Sequence, residues 1–125
     1  MKKIFIVFIF STILTGCATS KNHNSMKQMN TNNLASQIAY GDKISNKVVF
    51  DGSNYKMLVF ALKSDQVLKS HSAPMDAPLY MLEGSATITI GNEKHILEAG
   101  DLITLPKDIN HGVYPITDCK FMLLK

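Results

Sequence analysis

Apolar and polar residues divide this 125-residue chain into three stretches. An apolar run, Ile4 to Leu14, follows Lys2 and Lys3. Next comes a polar stretch from Ala18 to about Ser36, "ATSKNHNSMKQMNTNNLAS", with no aromatic residue and almost no aliphatic one. Such a segment buries too little surface to offset the entropy of ordering, which predicts a flexible linker. From about Gln37 the pattern changes to short β-branched or aromatic runs: "KVVF", "YKMLVFAL", "PLYMLEG", "SATITIG", "EKHILEAG", "DLITLP", "HGVYPI" and "CKFMLLK". Asp-Gly, Gly-Asn and Ala-Gly-Asp turn signals separate them. "ATITI" alternates strictly, as expected of a strand with one buried face, whereas "MLVFAL" and "FMLLK" are nearly continuous and suit a packed interior. No window of a dozen residues beyond the first apolar run carries a helical period, and there is no internal repeat. The pattern predicts a single all-β domain over residues 37–125, a sandwich or barrel of many short strands.

The first stretch has the layout of a bacterial secretion signal: basic start, short apolar core, polar continuation. Its end, Leu14-Thr15-Gly16-Cys17, resembles the lipobox of bacterial lipoproteins. That resemblance implies a signal peptide over 1–16, cleavage before Cys17, acylation of the Cys17 thiol and amino group, and a tether over 17–36. The protein is then expected to be exported and held on the membrane by several acyl chains, a stable anchor where one chain would be marginal. Ala18 after the cysteine is similar to the pattern sorted to the outer membrane in Gram-negative cells. Removing Lys2 and Lys3 takes the formal charge from +3 to about +1. All basic residues are lysine, and no basic stripe interleaves with aromatics, so nucleic acid is not an expected partner. With Cys17 lipidated, Cys119 is the one thiol left, which excludes an internal disulfide and suits a buried position. His23 falls in the linker, and His95 lies beside charged residues on a strand expected to be exposed.

Two segments narrow the fold further: His71 to Gly84, "HSAPMDAPLYMLEG", and Gly100 to His111, "GDLITLPKDINH". Together they resemble the two signature motifs of the cupin family, G-x5-H-x-H-x3/4-E-x6-G and G-x5-P-x-G-x2-H-x3-N. His71 and Gly84 match the first motif, Gly100, Pro106 and His111 the second, and fifteen residues separate Gly84 from Gly100. The resemblance spans about Val48 to Lys125 and implies an antiparallel jelly-roll barrel.

It also implies a metal site, and there the chain departs from the pattern. Ala73 replaces the second histidine, Ala77 the glutamate, Asp108 the second-motif glycine, and Pro115 the final asparagine. "HSAPMDA" resembles the degenerate first motif of very small single-domain bacterial cupins. Of four usual ligands, His71 and His111 remain. Asp76, one residue before the lost glutamate, is a candidate third ligand, although regular strand geometry would aim it at the other face. Met81 and Cys119 could offer sulfur but are better read as core. Two imidazoles alone would hold iron, manganese, nickel, copper or zinc weakly or not at all.

Three functions follow as alternatives. The first is a membrane-anchored module that binds a small polar or anionic molecule through His71 and His111, with Tyr80 nearby. The second is a metal-dependent enzyme of dioxygenase or isomerase type with a non-standard ligand set. The third is a structural or interaction lipoprotein with an occluded barrel. Cupins of this size commonly pair, and exposed edge strands such as "KVVF" need covering, so a homodimer is expected.

Overall fold

The computed structural model describes residues 33–125. The signal peptide expected over 1–16, the expected lipidation site Cys17 and His23 lie outside the described residues. A single 3-10 turn, Leu34–Gln37, is capped by the Asn33 side chain, which accepts from the Ala35 amide. Nine strands follow: β1 (Ser45–Asp51), β2 (Lys56–Leu62), β3 (Leu68–His71), β4 (Ala77–Glu83), β5 (Ser85–Ile90), β6 (Glu93–Glu98), β7 (Leu102–Leu105), β8 (His111–Pro115) and β9 (Cys119–Leu124).

They form two antiparallel sheets, one ordered β1-β2-β9-β4-β7 and the other β3-β8-β5-β6. The inward-facing residues of both sheets meet in one core, with Leu62, Leu79, Met81, Ile88, Val113, Cys119 and Phe121 fully buried. This is the expected jelly-roll barrel. Phe60 and Phe121, opposite each other on β2 and β9, stack with ring centroids 5.0 Å apart. Such a pair adds about 1 kcal/mol beyond the area it buries.

The near-continuous run "MLVFAL" is explained by burial on both faces of β2. Leu58, Phe60 and Leu62 face the interior, while Val59 and Ala61, on the other face, are also fully buried. The 3-10 turn packs against β2, β4 and β9, and Lys120 on β9 ties it down. The Lys120 ammonium donates to the Ala35 carbonyl at 2.8 Å, pairs with Glu83 at 3.3 Å and lies 4.8 Å from the Tyr40 ring centre. Asn33–Ser36, expected to belong to the linker, is therefore in contact with the barrel. A short polar segment can order here because neighbouring strands supply the partners that it lacks locally.

Two residues with positive φ shape turns in the motif segments. Gly84 has φ +73°, and a Cβ there would stand 2.0 Å from the Asp118 carbonyl oxygen, so no other residue fits without moving the β8–β9 turn. Asp108 has φ +59° and occupies the place of the second-motif glycine. The same backbone conformation is kept, and aspartate is one of the few side chains that tolerates it.

Candidate ligand-binding site

β3 and β8 are neighbours, and their register places His71 directly opposite His111. The two rings meet edge to face with centroids 4.7 Å apart. His111 is 4% exposed, whereas His71 lies nearer solvent. Each ring is oriented by the same local device: Nδ1 of His71 is 2.9 Å from the Lys69 carbonyl, and Nδ1 of His111 is 3.0 Å from the Ile109 carbonyl. A carbonyl can only accept, so each Nδ1 carries the proton and Nε2 is the free nitrogen. Burial lowers the pKa of His111, and the neighbouring His71 adds to the effect, while the bond to Ile109 opposes it.

The loop that follows His71 and the loop that precedes His111 are latched to each other. The Asp108 amide donates to the Ala73 carbonyl at 2.8 Å, and the Lys107 amide donates to Asp76 Oδ1 at 2.7 Å. Asp76 thus corrects the expectation of a third metal ligand. Its carboxylate is a strut between the two motif loops, held by a backbone amide in the manner of a turn residue.

His71, His111, Ala73 and Ala77 line a cavity of about 940 Å³ that also reaches Leu58, Phe60 and Leu123. It opens past the exposed side chains of Val48, Tyr55 and Met75. Ala73 and Ala77 contribute methyl groups where the family pattern has an imidazole and a carboxylate. A groove along β6 and β7, lined by His95, Ile96 and Leu102, shares no residue with this cavity.

Tyr80 is not part of the wall, which corrects its assignment to ligand binding. On β4 it alternates with Leu79 and Met81, both in the core, and therefore stands on the outer face beside Met122 and Leu102. Met81 and Cys119 are core residues, as the apolar pattern suggested. Burial, then the nearby Asp118, pushes the Cys119 thiol up to about 11, so it is not poised as a thiolate. His95 is part-exposed and 3.2 Å from Glu93.

The cavity residues that sequence inspection missed include Val48, Tyr55, Leu58, Phe60 and Leu123. Their apolar members were legible as strand interior, and only the alternation along β2 and β9 hinted at which ones share a face.

Residues 58–124 match the family described as Cupin domain. The chain belongs to the cupin family. A comparison with curated proteins found no match. Among solved structures, this cupin is similar to a conserved Streptococcus pyogenes protein of unknown function. The two are 25% identical over 81% of this chain and 90% of the other, with a TM-score of 0.71. It is also similar to a cupin 2 conserved barrel domain protein from Leptotrichia buccalis, at 28% identity and TM-score 0.69. That match covers 74% of this chain and 45% of the other. A cupin superfamily protein from Desulfitobacterium hafniense shares the fold at 19% identity, covering 78% and 91%, with a TM-score of 0.72.

The donor set of this cupin does not fit a tightly held catalytic metal. No group of three His, Cys, Asp or Glu side chains among the described residues could hold an ion. A first-row catalytic site generally draws on three protein ligands or more.

Proposed function

We propose that this cupin is a lipid-anchored binding module that captures a small molecule over His71 and His111, without a tightly bound metal. The observation that carries the reading is the paired imidazoles, each with Nδ1 tied back and Nε2 left free, on the wall of an apolar cavity. A ligand site of this kind needs apolar surface and a few oriented polar groups, and both are at hand. Ala73 and Ala77 favour an organic ligand over an ion, because their small side chains leave volume where ligand atoms would otherwise converge.

The test is a titration of the full chain with a library of small polar fragments, followed through the histidine ring signals by NMR. Fragments that bind should shift His71 and His111 together, and His111→Phe should weaken binding at least about tenfold, as loss of a buried hydrogen-bonding partner does. Fragments that bind without moving either ring would overturn the site. Stoichiometric iron, manganese, nickel, copper or zinc in protein purified without added metal would replace this reading with the metal-dependent enzyme.

Anchoring is supported by the run "LTGC" ending at Cys17. Cys17→Ser should release the chain from membranes or leave it unprocessed while the barrel still folds. Fractionation of the variant with membranes like the parent would remove the anchor from the proposal.

A further inference from the structure

The outer face of the five-stranded sheet carries apolar side chains on every strand. Cross-strand register sets Phe50, Met57 and Leu124 in one row over β1, β2 and β9. A second row runs from Val59 through Met122 and Tyr80 to Leu102 on β7. These positions alternate along their strands with interior residues such as Leu58, Phe121 and Leu79, so they stand on the opposite side.

Part of this face is covered and part is not. The turn Leu34–Gln37 packs on β2, β4 and β9, and Lys120 reaches from the outer face to the Ala35 carbonyl. Val59 and Ala61, on the same face, are fully buried. In contrast, Phe50 is 44% exposed and Leu102 65%. Tyr55, 46% exposed, stacks on Phe50 with ring centroids 5.0 Å apart and extends the uncovered part. Large apolar and aromatic side chains left in water as neighbours mark an interaction surface.

The point where the chain enters indicates what covers it. Asn33, the first described residue, caps the turn that packs on this face. Cys17 precedes it by sixteen residues. A polar chain of that length spans roughly 20–25 Å as a coil, less than the breadth of a barrel of this size, about 30 Å. An acylated Cys17 therefore holds the β1-β2-β9-β4-β7 sheet toward the bilayer and the other sheet away from it. Phenyl and phenol rings suit that boundary, where an apolar body is buried and a hydroxyl stays hydrated. Lys47 stands on this face and Lys120 is paired with Glu83, so there is no basic cluster to make the contact depend on anionic lipid.

We infer that the outer face of the five-stranded sheet docks on the lipid bilayer, with the stacked Phe50 and Tyr55 entering its interface. The inference rests on the anchoring reading above and adds an orientation to it.

The chain has no tryptophan, so a single introduced one reports its own surroundings. Tyr55→Trp places it on the docking face. Tyr114→Trp places it on the outer face of the other sheet, since Tyr114 alternates with the buried Val113 and is 38% exposed. Each full-length lipidated variant is reconstituted in phosphatidylcholine vesicles whose acyl chains are brominated near the headgroup. Bromine should quench Tyr55→Trp at least about threefold more strongly than Tyr114→Trp, because a docked apolar face lies roughly 5–10 Å into the headgroup and chain boundary. Adding Phe50→Ser to Tyr55→Trp should remove most of that difference. With the protein retained on the vesicles, equal quenching of the two variants, or quenching of neither, would overturn the docking and leave the anchor standing. Cross-linking into a dimer with Tyr55→Trp unquenched would assign the face to a second copy instead. Loss of the parent protein from vesicles on flotation would overturn the anchor and the docking together.

Discussion

The same three strands that close one end of the barrel hold the other end open. Toward one end of β2, β4 and β9, Leu62, Met81, Cys119 and Phe121 are fully buried in the interior. At the opposite ends of those strands stand Leu58, Ala77 and Leu123, and they front a cavity with the histidine pair instead. β2 pairs with β9 without interruption, and β4 pairs with β9 but for a register shift between Met81 and Glu83. The difference therefore comes from side-chain volume: Met81 and Phe121 at the filled end, Ala73 and Ala77 at the open one. A barrel this small can host a ligand only where its own side chains are too short to meet.

The comparison can be broken most severely at Phe121. Phe121→Ala at the filled end should cost about 4 kcal/mol, the transfer term plus a cavity that rigid neighbouring strands cannot collapse. Ala73→Leu at the open end should change stability by less than about 1.5 kcal/mol, because the added methyl groups enter existing space. That variant should nevertheless abolish fragment binding. Chemical denaturation and the histidine-ring titration measure the two effects. A large loss of stability in Ala73→Leu would mean that the cavity is not the free volume it forms here.

A smaller effect sharpens the role of the loops that frame the open end. Asp108→Ala should destabilise by about 1 kcal/mol, the penalty of a Cβ in the left-handed region without aspartate's tolerance of it. Asp108→Gly should be close to neutral. Equal losses in both variants would assign the effect to the Asp108 carboxylate and not to its φ of +59°.

The smallest effect is the pH response of the open end. Burial lowers the His111 pKa from its ordinary 6.5, so the folded state prefers the neutral ring. Its stabilising contribution is whole above 6.5 and is lost as pH falls from there through the folded value, because the unfolded chain takes up the proton first. The melting temperature should fall over this window in the parent, and by less in His111→Phe. An identical fall in both would place the acid sensitivity elsewhere.

Much of this was legible in the chain. Strand alternation in "SATITI", the turn glycine at Gly84, and the spacing from Gly100 through Pro106 to His111 led to the barrel and to the histidines. Asp76 and Tyr80 were misassigned for one shared reason. Proximity in sequence to a motif does not fix which way a side chain faces. Asp76 is claimed by the Lys107 amide from a loop thirty-one residues away, and Tyr80 is carried to the outer face by the two-residue period of β4.

By itself, the sequence determined the all-β class, the strand positions and the two histidines, because periodicity, turn chemistry and motif spacing are local properties. Only the tertiary structure decided that Leu58, Phe60 and Leu123 join those histidines on one cavity wall, that Asp76 serves as a strut, and that Asn33–Ser36 belongs against the barrel. Those are outcomes of long-range pairing. Strands distant in the chain are set side by side by burial and backbone hydrogen bonding, and which side chains then share a cavity depends on register and twist, not on sequence distance.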